Sequence, residues 1–449
     1  MSAPDAQSYW ISRQIPTDQF LLYCFDDAGA PLASIREQVL ARAAVIADLR
    51  TRIREVPGGV DHPHWAPMVP DASLVRLHEG PTTWPACLRS VAALLTERLD
   101  PIESPWRLHL FGPVADAPEG GDTGAVVAVL QVAHALGDGR RASGIARELF
   151  GSAPATPARA IPAWRPGVAL AAAVVRLPVQ VARMVLRARP AHLAHRQRER
   201  DSAAGVIPPK PPSRPKLPTN AAPDHRRELR TVVVPAATLR GTGVTVTVGA
   251  TTAISLALSR YLRAHGVGPG VGIAAEVTVA KPGKPLARNH FRNVTVDLHP
   301  EIEDVAARAG AIAESLRRGR LRADHPAGAA EDRATAVVPA PLLRHGIDHF
   351  DFTAVPDEVT GNTVVSSVDR GPADLVLGGG RVRFTAGFPA LSQFMGLTHG
   401  VHGIGDRVTV SIATSPAVVP DVDEYERLLR DAIDELRAAA PLPQREGDS

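Results

Sequence analysis

The run Val126-Val127-Ala128-Val129-Leu130-Gln131-Val132-Ala133 is apolar at all but one position and delivers His134 at its end, with Asp138 and Gly139 four and five positions later. Such a run reads as a strand. The pattern that follows, from Arg140 to Phe150, sets Ile145, Leu149 and Phe150 at helical spacing and stops at Gly151, so the histidine sits in a strand-loop-helix junction. A neutral imidazole placed there can take a proton from a hydroxyl or thiol as it attacks a carbonyl. Asp138, across a tight turn, can fold back to pin the loop, and Gly139 leaves room where a side chain would crowd the approach. Base, brace and clearance occupy one short segment.

The same alternation extends in both directions. Phe20 to Phe25 reads as a strand, Leu32 to Arg54 as a helix through Ile35, Val39, Ala43 and Ile46, and Leu88 to Leu99 as another helix. Arg107 to Gly112 and Ala125 to Ala133 read as strands parted by the Gly/Asp/Pro-rich loop 114–123. Further on, a strand is expected at Arg230 to Val234 and a helix at Thr251 to Gly266. Strands follow at Gly272 to Val279, Val294 to Leu298, Thr363 to Val368, Val382 to Ala386 and Arg407 to Ala413, with a closing helix from Asp423 to Ala439. This mixture predicts an α/β sandwich. At 449 residues the chain exceeds one ordinary core and divides into two domains of roughly 200 residues each.

Between the halves, Arg176, Gln180, Arg183 and Arg187 line one helical face, and Leu177, Val181, Met184 and Val185 line the other. A basic amphipathic helix suits an anionic membrane surface; a helix packed on its own protein with its arginines in water is the alternative, and Pro178 interrupts the pattern. Pro208 to Pro218 reads as an extended linker. No apolar run reaches the roughly 18 residues of a membrane span, and the first residues lack a signal peptide's basic and apolar regions. The two cysteines, Cys24 and Cys87, fit a reducing cytoplasm. With 4% aromatic residues there is no base-stacking surface, so nucleic acid is not an expected partner. His399 and His402, like His62 and His64, lack acidic or cysteine partners at zinc spacing and read as turn or loop histidines. Gly378-Gly379-Gly380 reads as a hairpin turn.

His134-Ala135-Leu136-Gly137-Asp138-Gly139 resembles the HxxxDG signature of the coenzyme A-dependent acyltransferase superfamily, and its surroundings resemble the bacterial wax ester synthase/diacylglycerol acyltransferase family. Leu99-Asp100 with Ser104-Pro105-Trp106-Arg107-Leu108, then Arg288-Asn289-His290-Phe291-Arg292-Asn293-Val294, then Ser366-Ser367-Val368 with Gly371-Pro372, resemble further segments of that family in its order. The resemblance implies two chloramphenicol acetyltransferase-like domains, mixed sheets flanked by helices, with an active-site channel between them. The expected division is 1–165, a helix and linker over 166–225, and 226–449.

What the resemblance implies for function is transfer of a long-chain acyl group from acyl-CoA to the hydroxyl of diacylglycerol or a fatty alcohol, with His134 as general base. Asp138 is then structural, held by an ion pair with a basic residue. Gly139 borders substrate, and Ser366 donates to the oxyanion. No cofactor is needed beyond acyl-CoA as substrate, and the expected state is a cytoplasmic monomer, with peripheral contact at the inner membrane face or on lipid droplets. Two departures stand out. Ala133 replaces the first of two adjacent histidines common in the family, and Gly249-Ala250 stands where an Asn-Asp pair precedes a long helix. They keep two other readings open: an enzyme that draws its acyl group from a carrier protein or uses a different acceptor, and a catalytically degenerate lipid-binding protein.

Overall fold

The computed structural model describes residues 1–120, 124–151, 161–268 and 270–439; the end of the expected 114–123 loop, residues 121–123, lies outside them. The chain opens with helix α1 (Ala3–Ser12), which the sequence reading had not anticipated; Ser2 caps it by accepting from the Asp5 amide. Next come β1 (Gln19–Asp26), α2 (Leu32–Ala43), β2 (Thr51–Arg54), β3 (His64–Pro67) and β4 (Val75–Thr83). The helix expected to reach Arg54 therefore ends at Ala43. Beyond it burial alternates with period two, Thr51 and Ile53 inward, because that segment pairs with β3 as a ribbon. After α3 (Trp84–Leu94), β5 (Trp106–Ala115) and β6 (Ala125–Val132), a single 3-10 turn (His134–Leu136) leads into α4 (Gly139–Phe150).

The long α5 (Pro166–Ala203) and the short β7 (Arg214–Pro215) lead to the second half: β8 (Glu228–Pro235), α6 (Ala236–Leu239), α7 (Val246–Ala264), β9 (Ala274–Ala280) and β10 (Phe291–Asp297). Helices α8 (Val305–Ala323), α9 (Pro326–Thr335) and α10 (Ala340–Asp348) follow, then β11 (Glu358–Val359), β12 (Thr363–Asp369), β13 (Val376–Leu377), β14 (Gly380–Gly387), β15 (Thr398–Ile404), β16 (Arg407–Thr414) and α11 (Val422–Ala438). Gly378 and Gly379 have φ of 57° and 89°, the positive values that a two-residue hairpin turn between β13 and β14 requires.

Two six-stranded mixed sheets form two lobes, ordered β13-β14-β1-β6-β5-β4 and β10-β9-β12-β15-β16-β8. The first sheet thus takes its edge hairpin, β13 and β14, from the second half of the sequence. β6 lies between β1 and β5, buried along its whole length, as its unbroken apolar run requires. One face of the first sheet carries Leu21, Tyr23 and Phe25 under α2 and α4. The other carries Phe20, Leu22 and Cys24 against α3, Leu229 and Ala413, so this core also joins the lobes. The second sheet is covered by α7 and α11.

β15 corrects the reading of His399 and His402 as turn histidines. Its glycines make room for the other lobe: a Cβ on Gly400 would lie 2.2 Å from the Gly387 carbonyl of β14. His399 is fully buried between Thr363 and the Tyr425 hydroxyl, at 2.9 Å from each. No cluster of metal-ligating side chains occurs among the described residues. Gly249, one of the two departures from the family pattern, lies inside α7, where a Cβ would stand 1.8 Å from the Leu239 carbonyl of α6. A glycine at that position is a condition of packing.

Helix α5 departs most from expectation. It is long and apolar enough, by length and composition, to cross a membrane, although no such stretch was expected. Pro178 and Pro190 lie within it without ending it. Its Arg176-Gln180 side does not face outward: both side chains bond the buried Asp61, at 3.3 and 2.9 Å. Burial raises the Asp61 pKa, but hydrogen bonds from His62 and Gln180 outweigh it and hold the carboxylate ionised well below the usual range. Towards its other end α5 is tied to α9 by Arg198 and His195 on Glu331.

Candidate active site

His134 follows β6 at the seam of the two lobes, in a cavity of about 380 Å³ that also bears Asp138, Gly139 and Ser366. All four residues expected at the site therefore border one space. The Phe291 ring lies 5.6 Å from the imidazole. Burial lowers the His134 pKa, against opposing influences from its own carbonyl, the Asn289 side chain and the carboxylates of Asp138 and Asp5. Burial thus favours the neutral ring, and Nδ1 is buried with no hydrogen-bond partner among the described residues.

Asp138 braces the site differently from expectation. It forms no ion pair among the described residues; Arg141 and Arg288, the nearby cations, both pair with Asp48. Instead one carboxylate oxygen accepts from the Arg141 amide at 3.0 Å, capping α4, and the other accepts from the His290 amide at 2.9 Å. The first bond stays within the motif loop and the second reaches the opposite lobe. A carboxylate that accepts from two amides meets its need without a cation.

A second clamp starts at Asp5 of α1, which is 3% exposed. Its oxygens accept from the Arg288 and Asn289 amides at 3.1 and 3.2 Å, and Asn289 Nδ2 donates to the His134 carbonyl at 2.8 Å. Gln19 Nε2 donates to the Gly137 carbonyl at 2.5 Å. Asp5 and Gln19 had no role in the sequence reading. The Ser-x-x-Asp cap at Ser2 was the available signal for α1, but nothing local told that Asp5 would turn toward residues 288 and 289.

Gly139 packs tightly: a Cβ there would meet Val368 of the other lobe at 3.2 Å. Ser366, on β12, lines the cavity with its hydroxyl unbonded among the described residues, whereas Ser367 is engaged with Thr247 at 2.8 Å. His290 and His402 border the same cavity, each with one ring nitrogen buried and unpartnered.

Two further cavities adjoin the central one. Asp18, Phe20, Phe388 and Ala390 also line a chamber of about 660 Å³, walled by Leu95, Leu391, Phe352 and Phe394. At its boundary Asp18 accepts from the Leu99 amide and Gln131, both at 2.8 Å, and burial nevertheless pushes its pKa up to about 6. On the other side, Phe291 and Asn293 also line a polar chamber of about 680 Å³ that holds Lys210, Lys281, Arg292 and Arg322 together with Glu199, Glu331 and Asp332, Lys281 and Arg292 pairing with Asp332 and Arg322 with Glu199.

The loop that clamps His134 and Asp138 begins at Arg288, and the WS/DGAT C-terminal domain family matches residues 288–437. Along its full length the chain resembles the wax ester synthase/diacylglycerol acyltransferase from Marinobacter aquaeolei VT8, with a TM-score of 0.64 at 18% identity, covering 98% of this chain and 99% of that one. It also resembles the starter condensation domain of rhizomide synthetase in complex with C8-CoA, with a TM-score of 0.56, 14% identity, and 100% and 96% coverage. The first condensation domain of the calcium-dependent antibiotic synthetase, in complex with a substrate analogue, gives 0.56, 14%, and 99% and 97%. At such identities the likeness is one of fold, two lobes around a shared cleft. With the WS/DGAT C-terminal domain match over residues 288–437 it supports an acyltransferase.

Proposed function

We propose that the chain transfers a long-chain acyl group from acyl-CoA to the hydroxyl of a lipid alcohol, diacylglycerol or a fatty alcohol. The observation that carries this reading is the neutral His134 in a cavity with an apolar chamber on one side and, on the other, a polar chamber whose lining has more cations than carboxylates. The apolar chamber suits hydrocarbon, and the polar one, with Lys210 and a net excess of cations, suits the phosphates of coenzyme A. Complexes with C8-CoA in a condensation domain of like fold support acyl-CoA as donor.

In the proposed reaction His134 takes the proton of the acceptor hydroxyl as its oxygen attacks the thioester carbonyl. The carbonyl electron pair moves onto oxygen, and Ser366 donates a hydrogen bond to that oxyanion. Collapse restores the carbonyl, breaks the carbon-sulfur bond and expels the coenzyme A thiolate, which takes the proton back from His134. The ester, a triacylglycerol or wax ester, and free coenzyme A are the products, and no metal or redox group takes part in the proposed steps. A general base supplies about 10²–10⁴-fold, so alignment of both substrates in the cleft carries much of the remaining acceleration.

The test is thiol release from acyl-CoA of increasing chain length across a panel of alcohols, with the ester product identified. Release that requires a long-chain alcohol or diacylglycerol is expected. Lipid binding with no thiol release from any pair would leave a lipid-binding protein in place of an enzyme.

A further inference from the structure

The two sides of α5 have opposite surroundings. Ala169 and Ala173 are buried against Val56, and Arg176 and Gln180 close on Asp61. On the opposite side Val168, Val174, Val175, Val185 and Leu186 are 63, 60, 75, 62 and 72% exposed. At 100° per residue these five fall on one face, which continues along the helix through Arg189 and, seven residues on, Arg196. From Pro166 to Arg198 there are six arginines and no aspartate or glutamate. Arg183, Arg187, Arg189 and Arg196 are exposed.

We propose that this outer face of α5 docks the protein onto an anionic lipid surface, lying flat with its valines and leucine among the acyl chains and its arginines at the phosphates. Charge decides the occupant. A second copy would bring arginine against arginine with no acid on either helix between Pro166 and Arg198, whereas anionic lipid offers the complementary charge along that stretch. A spanning orientation conflicts with the anchors: the stretch long enough to cross holds Arg176 and Gln180, both tied to Asp61, and the far end is tied to Glu331. The arginine side first expected to meet lipid is thus partly the inner side, and the free apolar face is that of Val175 and Leu186 and not of Leu177 and Met184, which are half-buried. This inference does not depend on the proposed reaction, because it is read from binding alone.

The experiment is flotation with vesicles of phosphatidylcholine, with and without phosphatidylglycerol, at low and high salt. The parent is expected to float with phosphatidylglycerol vesicles at low salt and less so at high salt. Val175→Asp with Leu186→Asp should weaken that partition at least about tenfold. Arg189→Gln and Arg196→Gln together should weaken binding to the anionic vesicles more than to neutral ones. All these side chains are exposed, so each variant should keep the parent's thermal midpoint. A parent that ignores phosphatidylglycerol vesicles at low salt, or a Val175→Asp/Leu186→Asp variant that binds as the parent does, would overturn the proposal. So would a parent dimer that the same double variant dissociates with no vesicle binding by either, since a second copy would then be the occupant.

Discussion

Replacing Asp138 separates two ways in which a buried carboxylate can hold a loop. In Asp138→Ala the amide of Arg141 loses its cap, which costs about 1 kcal/mol. The His290 amide, at the seam of the lobes, loses its acceptor and is left partly buried and unsatisfied, which costs about 1–3 kcal/mol more. The sum is about 2–4 kcal/mol, taken from both sides of the cleft. Asp138→Asn retains one acceptor oxygen but turns an NH₂ toward the other amide, so about 1–2 kcal/mol is expected. Since both partners are amides, these losses should be insensitive to salt. Urea denaturation at two ionic strengths measures this, and thiol release on the folded variants should fall in the same order, because the His134 loop loses its bond across the seam. An Asp138→Asn loss as large as that of alanine, and shrinking with salt, would point to an ion pair in solution. Full stability with lost turnover would refute the bracing role.

Asp18 is expected to make stability fall with pH on the acid side. Its pKa rises from 3.8 to about 6 on folding, so the protonated form is the one the fold favours. That contribution is fully present below about pH 4 and is lost as pH climbs through about 6, amounting to about 3 kcal/mol. Asp18→Asn, whose carbonyl oxygen can accept from Leu99 and Gln131, should be more stable than the parent at pH 7.5 and equal to it near pH 4; no difference at pH 7.5 would contradict this. Gly249→Ala, which in a free helix would gain about 1 kcal/mol, should instead cost about 3 kcal/mol or more, because the Leu239 carbonyl is backbone and cannot step aside. A thermal midpoint at or above the parent's would show that α6 yields.

How far the fold was legible varied with how local its causes are. β6 and α4 could be read because an unbroken apolar run, an Asp cap and a closing Gly are adjacent in sequence. The end of α2 could not, since no Gly or Pro follows Ala43, and Ile46 and Ile53 are buried whichever period is assumed. β15 was hidden by glycines whose purpose is close approach of the other lobe. The four residues expected at the site, His134, Asp138, Gly139 and Ser366, all line one cavity. The bracing of the site was not legible: Asp5 meets Arg288 across 283 positions and Asn289 meets His134 across 155. Of the five residues on the exposed apolar face of α5 the periodicity placed only Val185, since Leu177 and Met184 are half-buried and the helix is turned by Asp61, 115 positions from Arg176.

The most direct test of the account is the single-turnover rate of thiol release by His134→Ala, measured with long-chain acyl-CoA and a responsive alcohol across pH. The account predicts a fall of at least about 10²-fold at unchanged stability. In the parent, the acid limb of the rate should lie below the ordinary histidine value of 6.5, because burial keeps the imidazole neutral. A folded His134→Ala variant with the parent's rate and pH profile would contradict it.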